Sequence, residues 1–218
     1  MTETIKVEKE EETEEAASRN PGIRLLLVII GIVGLLLLAF MAGKSFHKQS
    51  SVPTVEDQLT YNNFQFVKIE GLWYFQWQYQ EQPYNIALHF SPKEVEDVEV
   101  VGELDQRFSR DSVYVTYDPL AGDFGNLSLA AGELTTPLAQ VFKIQPIAAC
   151  TQKTLDACMN RPIVTCNSTN SPVIFLNSTA PEPKIVMRGN CLELQGKGFD
   201  ILKAIDKSHY VNLGIIRQ

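Results

Sequence analysis

The sequence contains few of the residues and none of the motifs that mark well-known classes of enzyme. It has 4 cysteines and 3 histidines in 218 residues, and no CxxC pair. HExxH, GxSxG, P-loop and GxGxxG motifs are also lacking, which excludes the metalloproteases, serine hydrolases and nucleotide-binding proteins that those motifs identify. We therefore expect no cofactor. Because the net charge is −7 and no basic patch occurs, we expect no nucleic-acid partner.

One long apolar run lies near the N-terminus. From Leu25 to Gly43 the chain has 19 residues without a charge, flanked by Arg24 and Lys44. As a helix this run would extend about 28 Å, close to the thickness of a bilayer's hydrocarbon core. We predict one transmembrane helix over 23–43. A buried core helix and a cleaved signal peptide are the alternatives, but a signal peptide begins with a short basic region, whereas this run follows a long acidic one.

The segments on the two sides of this run differ in composition. Residues 1–22 are polar and rich in Glu, with no apolar period, and predict a disordered acidic tail. All four cysteines follow the run, as do three N-x-S/T sequons at Asn126, Asn167 and Asn177. Disulfides and N-glycans belong to extracytoplasmic domains. We therefore predict a single-pass cell-membrane protein with a cytoplasmic N-terminus and an external, glycosylated C-terminal domain.

The C-terminal part has the residue patterns of an α+β domain. Residues 44–60 are polar and predict a linker, so the domain is expected over 61–218. Period-two alternation predicts an antiparallel meander in its first part, with strands at 64–69, 72–79 and 84–90. Further short strand patterns follow, and three- and four-residue spacing predicts two helices, over 127–140 and 199–213. The expected fold is a mostly antiparallel β domain with two helices.

The second predicted strand carries a row of aromatic side chains on one face: Trp73, Phe75, Trp77 and Tyr79. Such a row is typical of the hydrophobic core of a small sheet. It also has the chemistry of a stacking platform for a sugar or a peptide. We favour the core, which makes the opposite face of this strand the exposed one.

The four cysteines allow three disulfide connectivities. We favour the pairs Cys150–Cys158 and Cys166–Cys191. The first pair encloses a short loop, and the second joins the end of one strand pattern to the start of another, beyond a hairpin turn. A zinc site is the alternative, but the cysteines have no CxxC spacing and no nearby histidine, so we predict disulfides and no metal.

The remaining titratable residues suggest no catalytic constellation. We interpret His47 and His89 as surface residues and His209 as a residue at the edge of a helix's apolar face. Acidic residues cluster at Glu94, Glu96, Asp97, Glu99, Glu103 and Asp105. A calcium loop would place its oxygens at fixed steps around a glycine, and this run does not. A solvated face is the expected role for these acids.

Several stretches resemble a group of archaeal single-pass membrane proteins that have an extracytoplasmic α+β domain and no assigned function. The resemblance lies in the run from YNNFQF to VEDVEV at 61–100, in RPIVTCNST at 161–169, in GNCLELQG at 189–196 and in ILKAIDKSHYVNLGII at 201–216. It implies an archaeal cell-surface location and supports the cysteine pairing given above. Archaea also glycosylate N-x-S/T sequons. The resemblance assigns no functional residue.

The sequence thus predicts a membrane-anchored extracytoplasmic binding or assembly module that is not an enzyme. Its expected partners are the lipid bilayer and either another envelope protein or a surface polymer. Two other functions stay open. An envelope hydrolase using carboxylates would require a pocket that gathers acidic residues with raised pKa values. A single-pass sensor would use the acidic tail as its output.

Overall fold

The structure is a computed structural model that describes residues 21–45, 54–79, 81–154 and 156–217. Within 21–45, the side chains described are those of residues 22 and 25–41. The chain divides into two compact units, Met1–Val52 and Pro53–Gln218. The predicted acidic tail lies outside the described residues except at 21–22, where the first helix begins. His47 also lies outside them.

The first unit contains helix α1, Pro21–Ser45, which is 25 residues long. Proline is well suited to a helix start, because the first N–H groups of a helix have no partner within it. The helix extends the predicted 23–43 at both ends, and its side chains from Leu25 to Met41 are exposed. Over the residues that are described, no helix meets the combined length and apolarity required to cross a membrane.

The second unit begins with a sheet of four strands that pair in chain order and are all antiparallel. The strands are β1 Val55–Tyr61, β2 Phe64–Ile69, β3 Leu72–Tyr79 and β4 Gln82–Leu88. The predicted meander is confirmed as β2, β3 and β4. The predicted linker over 44–60 is wrong for 55–60, which belong to β1. An edge strand with mostly exposed side chains buries too few residues to show an alternating pattern.

Two-residue turns set the register of this sheet. Asn62 and Asn63 have φ values of 45° and 69°, and Glu70 and Gly71 have 51° and 81°. Two consecutive residues with positive φ form the turn whose twist matches a hairpin, and Asn and Gly adopt it at low cost. The aromatic row of β3 is core at its start: Trp73 and Phe75 are buried, whereas Tyr79 is 44% exposed.

A second sheet of six strands has the order β5-β9-β10-β8-β6-β7. These strands are β5 Glu99–Leu104, β6 Ser112–Tyr117, β7 Gln145–Ala148, β8 Val173–Asn177, β9 Lys184–Gly189 and β10 Cys191–Gln195. Only β9 and β10 pair antiparallel in this sheet; the other neighbours are parallel. The prediction of a mostly antiparallel domain is therefore wrong here. Parallel neighbours are joined by long crossovers, so pairing direction leaves no local pattern.

Among the described residues of the second unit, three α-helices accompany the sheets: α2 Phe124–Gln140, α3 Asp156–Met159 and α4 Ile201–Asn212. Helix α2 crosses over between the parallel strands β6 and β7. Helices α2 and α4 correspond to the two predicted helices, and the short α3 was not predicted. Both long helices contribute to a core that also includes Phe66 and Phe75 of the first sheet and Leu194 of the second.

Two disulfides lie in the second unit. Cys150 is bonded to Cys158, with Cα atoms 5.9 Å apart, and Cys166 to Cys191, with Cα atoms 5.3 Å apart. This is the pairing that the spacing favours. Because disulfides persist in oxidising compartments, they fit an extracytoplasmic or secreted domain.

Candidate functional site

Four titratable side chains meet where β4 ends against helices α2 and α4. His89 follows β4, Glu133 comes from α2, and Asp206 and His209 lie three residues apart on α4. Asp206 and His209 are 0% and 1% exposed. The interpretation of His209 as a boundary residue is therefore wrong: α4 is buried on nearly all sides over 201–210, since it packs against α2 and the second sheet.

Glu133 contacts both sides of this cluster. Its carboxylate accepts a hydrogen bond from the backbone N–H of His89 at 3.2 Å and is paired with the Nδ1 atom of the same histidine. The backbone carbonyl of Glu133 lies 3.2 Å from Nε2 of His209. These contacts join the end of β4 to both helices. His89, interpreted from the sequence as a surface residue, is half-buried.

Two further hydrogen bonds hold Phe90, the residue after His89. Its N–H donates to Oδ2 of Asp206 at 2.8 Å, and its carbonyl accepts from the Tyr210 hydroxyl at 2.7 Å. Both partners lie on α4, so the first sheet is attached to this helix through its backbone. Buried backbone groups require such partners, which accounts for polar side chains inside an otherwise apolar contact.

Burial dominates the electrostatics of the cluster. It raises the pKa of Asp206, and the nearby carboxyl group of Glu133 raises it further. Burial lowers the pKa of His209 from 6.5 to about 4. Within the described part of the chain, Oδ1 of Asp206 and Nδ1 of His209 have no hydrogen-bond partner. Near neutral pH His209 is therefore uncharged, and Asp206 holds a proton more readily than an ordinary aspartate.

Two of the four side chains line a cavity. His89 and Glu133 line a space of about 450 Å³ between β4 and α2, together with Tyr84, Ile86 and Leu129. A histidine oriented by a carboxylate is a common general base. No group of three or more His, Cys, Asp or Glu among the described residues is arranged to hold a metal ion.

A larger cavity of about 720 Å³ lies beside the β9–β10 turn and the Cys166–Cys191 disulfide. Its charged groups are paired: Arg107 with Asp105 at 2.6 Å, and Arg188 with Glu193 at 2.5 Å. Burial would raise the pKa of Glu193, but hydrogen bonds from Asn177 and Gln195 and the charge of Arg188 lower it overall. Because its charges are compensated, this cavity is suited to neutral polar groups.

The three sequon asparagines have different surroundings. Nδ2 of Asn126, on α2, donates to Asp123 at 2.9 Å, and Nδ2 of Asn177, on β8, donates to Glu193 at 2.8 Å. A glycan on either nitrogen would disturb these hydrogen bonds. Asn167 is exposed in a turn at the rim of the larger cavity. Of the three, Asn167 is the sequon most accessible in the folded domain.

The acidic residues between 94 and 105 do not converge on a site. Glu94 completes a capping box with Ser91 at the start of a short 3-10 turn, and Asp105 holds Arg107. Glu96 accepts a hydrogen bond from Tyr61. The residues that do converge, Glu133 and Asp206, were not predicted. The available signal was an acidic residue whose helix neighbours four residues away on both sides are apolar: Leu129 and Pro137 for Glu133, and Leu202 and Tyr210 for Asp206.

Comparisons with protein-family models, with curated proteins and with solved structures found no match to this chain.

Proposed function

We propose that this chain is a membrane-anchored extracytoplasmic binding module of the cell envelope. The observation that carries the proposal is the continuous exposure of uncharged side chains from Leu25 to Met41 on α1. So large an exposed apolar surface must be buried against another apolar surface. The hydrocarbon core of a bilayer suits an uncharged sequence run of 19 residues. The disulfides of the second unit support placing that unit outside the cytosol, with the N-terminus inside.

Binding, rather than catalysis, is supported by the state of the polar groups. His209 and Asp206 are buried, and they are tied to backbone groups of Glu133 and Phe90. Arg107 and Arg188 are paired with carboxylates. Groups held in this way stabilise the folded domain and are poorly placed to react with a substrate. Another envelope protein or a surface polymer is the proposed partner.

Charged substitutions on α1 test the anchor. The double variant Ile32→Asp/Leu36→Asp should release the full-length chain from membranes, because each aspartate at a helix centre costs about 3 kcal/mol on insertion scales. The measurement is the fraction of protein retained in the membrane pellet after alkaline carbonate extraction. Leu120→Asp is the matched control, since Leu120 is 63% exposed in the second unit. Extraction of the unsubstituted chain would contradict the anchor.

A second candidate, an envelope hydrolase using carboxylates, is favoured by one observation. The pKa of Asp206 is raised by burial and by the nearby charge of Glu133, which lines the cavity together with His89. In this function Glu133 would act as a general acid or base on a substrate in the cavity. Asp206 would position the proton that Glu133 transfers. The single-pass sensor depends on residues 1–20, which lie outside the described residues.

Chromogenic glycosides and esters distinguish a hydrolase from a binding module. If Glu133 acts as a general acid or base, Glu133→Gln should lower turnover of any active substrate by about 100-fold or more. Glu103→Gln, at an exposed position in β5, is the control and should not change turnover. A panel on which the unsubstituted protein shows no turnover would exclude this candidate for those substrate classes.

A further inference from the structure

β4 is an edge strand of the first sheet, with its free side next to helix α2. Over the described residues it pairs with β3 alone. In an antiparallel pair, alternate residues direct their N–H and C=O groups toward the partner strand, and the others direct theirs away. An edge strand therefore presents a row of unpaired backbone groups that another extended chain can use.

The register identifies which groups of β4 face away from β3. The two-residue turn at Glu70 and Gly71 makes Ile69 and Leu72 a hydrogen-bonded pair, so alternate residues of β3 from Leu72 bond to β2 and the others bond to β4. In β4 the residues opposite those others, which are Gln82 and every second residue after it, therefore bond to β3. The first outward position is Pro83, which has no N–H. The outward N–H of His89 donates to Glu133 of α2. Between them, the outward N–H groups of Asn85 and Ala87 have no partner within the described part of the chain.

These two groups face the cavity of about 450 Å³ between β4 and α2. Its apolar wall on α2 includes Leu129, which is 40% exposed, and Pro137. The opposite wall includes Ile86 and Ala87 of β4. The space therefore combines a backbone hydrogen-bonding edge with an apolar side-chain wall, which is how strand addition recognises a peptide.

The two ends of this groove differ in charge. At the His89 end stands the carboxylate of Glu133. Beyond Tyr84, at the other end, the Nζ atom of Lys143 lies 5.5 Å from the centroid of the Tyr84 ring and donates to the carbonyl of Gln140 at 2.6 Å. An occupant with an acidic side chain near Lys143 and no acid near Glu133 would match this polarity.

We propose that the groove between β4 and α2 binds an extended polypeptide segment of another envelope protein, added as a strand to β4, with an acidic side chain beside Lys143. This inference rests on the proposed binding function and names its partner class. A surface glycan has no regular row of alternating N–H and C=O groups to satisfy Asn85 and Ala87. Pairing of β4 with the β4 of a second copy is hindered, because each β4 is flanked by its own α2.

The test uses the full-length protein in detergent micelles and a displayed library of random ten-residue peptides. Peptides selected on the unsubstituted protein should slow amide hydrogen exchange at Asn85 and Ala87, which exchange quickly in the free protein. Ala87→Pro removes one outward donor and should weaken binding of the selected peptide at least tenfold. Thr60→Pro is the matched control, because the same alternation places Thr60 N–H on the open edge of β1.

Charge reversal tests the orientation of the peptide. Lys143→Glu should weaken binding of acidic selected peptides by tenfold or more, and Lys153→Glu, at an exposed position, should not. A selected peptide that binds Ala87→Pro as tightly as the unsubstituted protein, or a library that yields no binder, overturns the groove. Alternatively, a partner protein in native membranes cross-links to Ala87→Pro and to the unsubstituted protein in equal amounts. That result would overturn only the groove and leave the binding function standing.

Discussion

Acid should destabilise this protein by on the order of 3 kcal/mol between pH 6.5 and pH 4 through His209 alone. Burial lowers the pKa of His209 from 6.5 to about 4, so in this range the unfolded chain binds a proton that the folded chain excludes. Stability from this group is therefore complete above pH 6.5 and is lost as the pH falls toward 4. Urea unfolding of the full-length chain, followed by fluorescence of the buried Trp73, measures it.

His209→Gln provides the direct comparison, because the glutamine amide can still donate to the carbonyl of Glu133. Its stability should change less between pH 6.5 and pH 4 than that of the unsubstituted protein. An unchanged acid dependence in this variant would show that His209 does not carry the effect.

Asp206 has the opposite effect to His209 on the pH dependence of the unfolding free energy. Its raised pKa means that the folded state binds a proton more tightly than the unfolded chain, so its stabilising effect is present at low pH and is lost as the pH rises through the folded-state pKa. Asp206→Asn keeps an acceptor for the Phe90 N–H but cannot titrate. The variant should show a steeper loss of stability with acid than the unsubstituted protein. A flatter profile would contradict the assignment of the proton to Asp206.

Gly196→Ala should cost about 3 kcal/mol of unfolding free energy. Gly196 lies between β10 and α4, and an added Cβ would lie 2.6 Å from the Cα and N atoms of Ile201. Those are backbone atoms at the start of α4, so no side chain can rotate to relieve the contact. The helix would have to move, and with it the hydrogen bonds that Asp206 and Tyr210 make to Phe90.

Gly125→Ala is the matched control for this substitution. Gly125 lies in the first turn of α2, and an added Cβ would meet nothing within 4 Å. Because alanine is the better helix former, this variant should be neutral or more stable by up to about 1 kcal/mol. Midpoints of urea unfolding at pH 7 compare the two variants. Equal midpoints would show that α4 adjusts to the added methyl group without strain.

Elements with a strong local pattern were predictable. β2 and β3 alternate in the sequence, and the turn between them is a Glu-Gly pair with positive φ. Helix α4 follows three- and four-residue spacing over a single short segment. β1 was missed because its exposed side chains leave no pattern. The parallel pairs of the second sheet were missed because β5 and β9 are far apart in the chain and no local residue specifies their direction.

The candidate site shows the same division. Sequons and cysteines were found because each is read from a short stretch or a spacing. The cluster of His89, Glu133 and Asp206 was missed because its members lie on three elements that meet only when α2 and α4 pack against the end of β4. Glu133 is 44 residues from His89, and nothing in either neighbourhood specifies the other.

The sequence by itself determined the uncharged run, the α+β character, the short strands with their hairpin turns and the residues available for disulfides, since each depends on neighbouring side chains or composition. Only the tertiary structure decided that His209 is buried, that Asp206 lies near the charge of Glu133, and that β4 presents an open edge to α2. Burial and charge coupling depend on which surfaces meet, and that is settled by packing between segments far apart in the chain.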